Sequence, residues 1–376
     1  MRNMLRGVVG LMAGGILAGP AAGSEFRGVW VDAFHPGFKN HEQVTQMVNW
    51  AKATNFNALF VEVRKRGDAY YNSHLEPKAT DIATDYDPLA DVIQQAHAAG
   101  LEVHAWLSVY DIMHDSKWYK PGPTHIYRAH PDWLMTMRDG WKVFEEGKIF
   151  VDPGVPAVQD HIVAVVLDIV NNYQVDGINL DNVRYPGRQG GYNPTSVAIF
   201  NRESGRTGLP DQNDPTWCQW RREQVTNLVR KLQQAVNASK PEVKLSASVL
   251  IGYPQAAAKL FLQEWGTWSR DRLVDFLVPM IFMTPTNPHM PQAAAEALKS
   301  SCDRHVYIGI GGWRLPTQVA TDQINHVRAA GGNGVVLFSY HYLGPNSNNT
   351  PCVKGEGLVS SVFAEPTSVP PMPWRQ

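Results

Sequence analysis

The chain has 376 residues, enough for one large single-core domain and too few for two α/β barrels. Its 34 Lys+Arg nearly balance 35 Asp+Glu, and no basic cluster stands out, which argues against a nucleic-acid partner. The three cysteines, Cys218, Cys302 and Cys352, do not have the spacing of a zinc site.

Residues 1–23 read as a secretory signal peptide. Positive charge at Arg2 and Arg6 precedes an apolar run from Gly7 to Gly19, and Ala21-Ala-Gly23 supplies small residues for cleavage before Ser24. The run is too short and Gly-rich for an anchor, so no stable membrane insertion is expected and the mature chain is expected to be secreted or periplasmic. In an oxidising compartment two cysteines can bridge. Cys302 with Cys352 is the expected pair, because Cys218 falls in a helical stretch, with three unpaired thiols as the alternative. Residues 24–364 are expected to form one domain, followed by a Pro-rich, disordered tail over 365–376.

From Arg27 onward, short β-branched or aromatic runs alternate with longer amphipathic stretches. Strands are predicted at Gly28–Ala33, Ala58–Val63, Glu102–Ser108, Gly177–Asn182, Lys244–Leu250, Phe276–Phe282, Val306–Gly311 and Val335–Tyr340. Helices are predicted at Glu42–Thr54, Pro88–Ala99, Pro156–Tyr173, Trp217–Ala238, Lys259–Arg270, Met290–Ser300 and Pro316–Ala329. Eight such units point to an α/β fold of the (β/α)8 TIM barrel type with long βα loops, with a doubly wound open sheet as the alternative.

Parity within the strands sharpens this expectation, since a barrel strand turns alternate residues to the helices and to the lumen. Leu59, Val61 and Val63 leave Glu62 and Arg64 inside; Val103, Ala105 and Leu107 leave His104, Trp106 and Ser108 inside. Val29 and Val31 leave Trp30 and Asp32, and Asn179 shares a face with Asp181. Several strands thus aim polar groups at one lumen near their carboxyl ends, where the reacting groups of α/β barrels sit. A purely structural lumen would be aliphatic, because an unpaired buried charge is costly. The competing reading is a satisfied internal salt-bridge network among Glu62, Arg64, Asp181 and Arg184.

Long loops follow two of these strands. Tyr110 to Lys148 carries Trp118, Tyr119, Tyr127, Trp133 and Trp141, and Tyr185 to Asp214 adds Tyr192. Loops of that length in a compact domain are usually functional, and aromatic rings on a concave surface suit the apolar faces of sugars.

Several motifs together resemble the glycosyl-hydrolase-like 10 family of secreted bacterial (β/α)8 proteins. They are Arg27-Gly-Val-Trp30, Val61-Glu-Val-Arg64 with Gly67-Asp68-Ala-Tyr-Tyr71, Tyr86-Asp-Pro-Leu89 and Gly100-Leu-Glu-Val-His-Ala-Trp106. His130-Pro131, Val151-Asp-Pro-Gly154 and Val175-Asp-Gly-Ile-Asn-Leu-Asp-Asn-Val-Arg-Tyr-Pro186 complete the set, in order along the chain. The resemblance implies hydrolysis of an oligo- or polysaccharide, such as the peptidoglycan strands of a cell envelope. The alternative is a barrel that binds glycan without cleaving it. Asn182 departs from the pattern, standing where members often carry a second acid or an aromatic residue.

Glycoside hydrolysis needs two carboxyl groups flanking the bond. Asp181 is the first candidate, as nucleophile or base; Glu62 is the favoured proton donor, with Asp32 and then Asp68 behind it. Trp30, Arg64, Asp68, His104, Trp106, Tyr110, Asn179, Arg184, Tyr185 and Tyr340 are the candidate substrate contacts, and His341 stands beside them. His104 is equally readable as a hydrogen-bonded core histidine. No second histidine follows it in a metal-binding pattern, so neither a metal nor another cofactor is expected.

Overall fold

The computed structural model describes residues 23–115, 120–284, 286–347 and 352–375. The expected signal peptide, up to residue 22, and Trp118 and Tyr119 lie outside the described residues. Eight parallel strands close into a barrel: β1 (Phe26–Val31), β2 (Ala58–Arg64), β3 (Glu102–Ser108), β6 (Gly177–Asp181), β7 (Lys244–Val249), β8 (Phe276–Ile281), β9 (His305–Gly311) and β10 (Gly334–Phe338). A short antiparallel pair, β4 (Asp111–His114) and β5 (Lys148–Phe150), stands outside it. The order around the barrel is β1-β10-β9-β8-β7-β6-β3-β2, so β1 pairs with both β2 and β10 and no edge remains. The barrel is therefore the fold, and the open-sheet alternative falls.

Helix starts follow local chemistry. Asp87 accepts from the Ala90 amide with Pro88 in the first turn of the helix Pro88–Ala98, and Asp214 caps the helix Pro215–Ser239 by accepting from Trp217. Each pairs an acidic cap with a proline whose missing N–H would be unsatisfied there anyway. The helix predicted from Lys259 begins only at Trp265, after a run of turns that follows β7. Inside the long loops stand the β4–β5 pair, the short helix Ile126–Ala129, the 3-10 turns Pro131–Trp133 and Glu145–Gly147, and the helix Pro194–Ser204.

Two apolar layers result from the strand alternation. Val29, Leu59, Val61, Val103, Ala105 and Leu107 pack outward against helices, while Phe26, Trp30, Phe60, Trp106, Phe276 and Tyr307 fill the lumen. The lumen is tight: a Cβ on Gly309 would stand 2.9 Å from the Trp30 indole, so glycine there makes room for it. Phe26 stacks on Tyr307 at 4.0 Å near the amino-terminal end of the strands.

The Pro-rich carboxyl segment is ordered, contrary to expectation, and seals that end. Its Ser368 carbonyl accepts from the Glu25 amide at 3.1 Å, Met372 is buried with the lumen aromatics, and the Trp374 indole and Arg375 both donate to Asp275. Proline content misled because Val369, Met372 and Trp374 alternate with the prolines and bring apolar surface to an open barrel end. The expected Cys302–Cys352 bridge is also absent: all three cysteines are free. Cys302 follows the helix Met290–Ser300, which runs back from the top of β8 to the bottom of β9, while the Cys352 thiol donates to the Trp313 carbonyl just past the top of β9. The two thiols sit toward opposite ends of the barrel, too far apart for disulfide geometry.

Met372→Ala should lower stability by about 2 kcal/mol, the low end for truncating a buried Met. Urea unfolding checks this; an unmoved midpoint would mean that the tail does not support the barrel.

Candidate active site

At the carboxyl ends of the strands lies a pocket of about 280 Å³ whose walls include Trp30, Asp32, Glu62, Trp106, Asp111 and Asp181. Asp181 ends β6. The next residue, Asn182, takes a left-handed φ of 50°, which Asn tolerates better than most residues and which stops the strand. That turn lets one Asp181 oxygen accept the Asn182 amide at 2.7 Å, while the other accepts the Trp106 indole N–H at 3.2 Å. Burial raises the Asp181 pKa; Arg184 and these two donors offset only part of the effect.

Glu62 is buried on β2, and its Oε2 accepts from the Ala33 amide at 2.8 Å. Loss of solvent pushes its carboxyl well above the usual range, and the nearby charges of Asp32 and Asp181 push the same way. Asp32 also lines the pocket, but both its oxygens are occupied. Oδ1 accepts from the Phe34 and His35 amides and contacts His35 Nδ1 at 2.6 Å, and Oδ2 accepts from Ser339 at 2.9 Å. These contacts make it a brace between β1 and β10.

Asp111 was not anticipated. It opens β4, whose pairing with β5 holds it at the pocket wall, and its buried Oδ1 has no hydrogen-bond partner among the described residues. Burial raises its pKa to about 6, against the pull of Lys148 and Arg66 and helped by the charge of Asp181. Its residue type was visible in the sequence, but no strand was predicted there to position it. The pocket is completed by Phe34, Met280, Phe282 and Phe338 and by the cations Lys65, Arg66 and Lys148. Its aromatic rings thus come mainly from strand ends and not from the long loops. Trp133 stacks on His130 and packs against the outer core, Tyr192 is buried beside Trp217, and Trp141 is exposed.

Several predicted contacts lie elsewhere. The β2–β3 ladder slips by one residue between Glu62 and Arg64, so Arg64 stands opposite Leu107 and not Ser108. The bulge reverses the parity, and Arg64 is fully buried in a bidentate pair with Glu76 at 2.7 Å, joined by His161 at 3.1 Å. Arg64 is thus in a buried ion pair, but with Glu76 and not with Glu62 or Asp181, so the competing network of Glu62, Arg64, Asp181 and Arg184 does not form among the described residues. Asp68 accepts from the Arg66 amide at 3.1 Å, and Tyr110 and Tyr185 are buried; none of the three lines the pocket. His104 does face the lumen, but one layer too deep: it stacks on Phe60 at 4.8 Å and contacts Glu102 at 3.1 Å, as a core histidine. Asn179 lies beneath Asp181, bonded to Ser246 and Ser248. Tyr340 and His341 line a neighbouring pocket, with His341 stacked on His35 at 3.7 Å. Arg184 lines an adjoining pocket and not the main one.

Among the described residues no group of three His, Cys, Asp or Glu is placed to hold a metal, and no helix is long and apolar enough to cross a membrane.

A closed parallel barrel with carboxyl groups gathered at the carboxyl ends of its strands is an architecture that glycoside hydrolase barrels share. The chain belongs to the Glycosyl hydrolase-like 10 family, whose model matches residues 25–325. It is 24% identical to Glycosyl hydrolase YngK of Bacillus subtilis over 95% of this chain and 76% of that protein. It is 26% identical to Glycosyl hydrolase DigH of Escherichia coli K12, over 71% of this chain and 65% of the relative, just under two thirds of its length. Among solved structures, the PgaB (BpsB) glycoside hydrolase domain from Bordetella bronchiseptica superposes with a TM-score of 0.64 at 15% identity, covering 89% of this chain and 98% of that one. The catalytic domain of β-amylase from Paenibacillus polymyxa gives 0.62 at 13% identity, covering 92% and 99%. At these identities the two structures speak for the fold alone.

Arg64→Met should cost about 3–5 kcal/mol, because Glu76 would be left buried without its partner. Burial pushes Glu76 up, yet Arg64 and His161 outweigh it and hold the carboxyl at about 2, below its ordinary 4.5. A depressed pKa stabilises the fold above the unfolded value, and that stability is lost as pH falls from there toward 2. The variant should therefore lose less than the wild type between pH 7 and pH 3 in urea unfolding; parallel losses would remove Arg64 from this role.

Proposed function

We propose that the protein hydrolyses glycosidic bonds in a cell-envelope glycan, with peptidoglycan strands the first candidate, using Asp181 with a second carboxyl group across the pocket. The observation that carries the reading is that Asp181 and two other acids with raised pKa values line one aromatic-walled pocket, none of them with an ion-pair partner among the described residues. Asp181 acts as nucleophile or base. Its two donors, the Asn182 amide and the Trp106 indole, orient its carboxylate and spread its charge. Trp30, Trp106 and Phe34 offer faces to the apolar side of a sugar ring.

Glu62 supplies the proton to the leaving oxygen, since burial, with the nearby charges of Asp32 and Asp181, raises its pKa and favours the protonated form. A second reading gives that role to Asp111, and its unpartnered Oδ1 favours it. The two differ in pH dependence. A general acid works only while protonated, so with Asp111 as donor the rate falls as pH rises through about 6. With Glu62 as donor the alkaline limb follows that carboxyl instead, and its removal removes the limb.

Asp181→Asn should cut the release of reducing ends from purified peptidoglycan or another glycan at least about 100-fold with the fold intact. Undiminished turnover would end the assignment. In kcat/KM profiles, Glu62→Gln should abolish the alkaline limb and Asp111→Asn should leave it in place. The opposite result transfers the role to Asp111.

A further inference from the structure

Beside the main pocket lies a second one of about 170 Å³, and the two share Lys148 and Asn182 as a common wall. Its other walls include Phe144, Phe261 and Arg184. The two pockets adjoin across these two residues, with Asp181 on the side of the main one.

Arg184 is the unusual member. Among the described residues its buried Nε makes no hydrogen bond, and its one side-chain hydrogen bond runs from Nη2 to the Asn182 amide oxygen at 3.2 Å. Among the described residues no carboxylate lies within 4 Å of it, and its guanidinium stands 5.6 Å from the Phe261 ring centroid. Burial pulls its pKa below the ordinary value, with Asp181 and Asp111 opposing from farther away. Two acids share the lining, Glu145 and Glu146, but both are exposed at its outer edge, where Glu146 pairs with Lys148 at 2.9 Å. A guanidinium that is partly desolvated and has no bidentate partner is unfavourable, and a planar carboxylate is the group whose geometry it matches.

We propose that this second pocket is a sugar subsite next to the cleavage point, and that Arg184 binds a carboxylate carried by the sugar there. The substrate is then an acidic glycan at least two residues long, lying across Asp181 with a charged unit beyond it. The inference rests on the glycosidase reading of the adjoining main pocket. Phe261 and Phe144 provide the apolar contact for the ring, and Lys148 stands between the two subsites.

The test separates binding from turnover by using the Asp181→Asn variant in titration calorimetry. Its probes are peptide-free peptidoglycan strands, whose lactyl ethers carry carboxylates, and the same strands with those carboxylates amidated. Oligogalacturonates and their methyl esters form a second arm, which distinguishes a uronic acid from a lactyl ether. The charged member of at least one pair should bind about tenfold more tightly than its neutral counterpart. Adding Arg184→Gln should remove that preference, and Arg184→Lys, which keeps the charge, should retain part of it. Equal affinities in both pairs, a preference that survives Arg184→Gln, or no binding at all would overturn the proposal. Release of reducing ends by the wild type without any charge preference would remove the subsite and leave the hydrolase standing. A charge preference without turnover on any glycan would do the reverse.

Discussion

Two carboxyl groups, Glu62 and Asp181, line one pocket, the first buried and the second partly so, and among the described residues neither has a cation in ion-pair contact. Such an arrangement is unfavourable for folding, since each charge loses solvent and repels the other. It persists because the barrel around it is closed and tightly filled, so the side chains cannot withdraw. The same confinement raises both pKa values. Stability is thereby exchanged for a carboxyl that stays protonated where a solvent-exposed one would not.

The contrast with Arg64 and Glu76 makes the point concrete. That pair is at least as deeply buried, yet it is closed on itself through two parallel hydrogen bonds and a histidine, and Glu76 ends with a depressed pKa. One residue of register separates the two outcomes: Glu62 points into the lumen, and past the bulge Arg64 points out. The pocket and the scaffold are built from the same residue types, and pairing tells them apart.

The ends of the barrel are treated differently. The carboxyl segment covers the amino-terminal end with Met372 and Trp374, so that mouth is a floor of packed aromatics. The other mouth is walled by the β4–β5 hairpin and by the turn after β6, which place Asp111 and Arg184 beside Asp181. The fold thus leaves one end accessible and surrounds it with charge.

The sequence by itself determined the eight βα units and the inward faces of Trp30, Asp32, Glu62, Trp106 and Asp181. Each follows from a period of two or 3.6 and from local turn chemistry, which act within a few residues. It did not determine that Arg64 turns outward, that His104 sits a layer below the pocket, that Asp111 is held at its wall, or that the Pro-rich tail plugs the barrel. Those depend on a register slip, on depth along the lumen, on a hairpin between residues some 35 positions apart, and on contacts between the two chain ends. A bulge reverses parity without leaving a mark in composition, and whether a buried charge finds a partner is decided by residues far away in the chain. Only the tertiary structure brings them within reach.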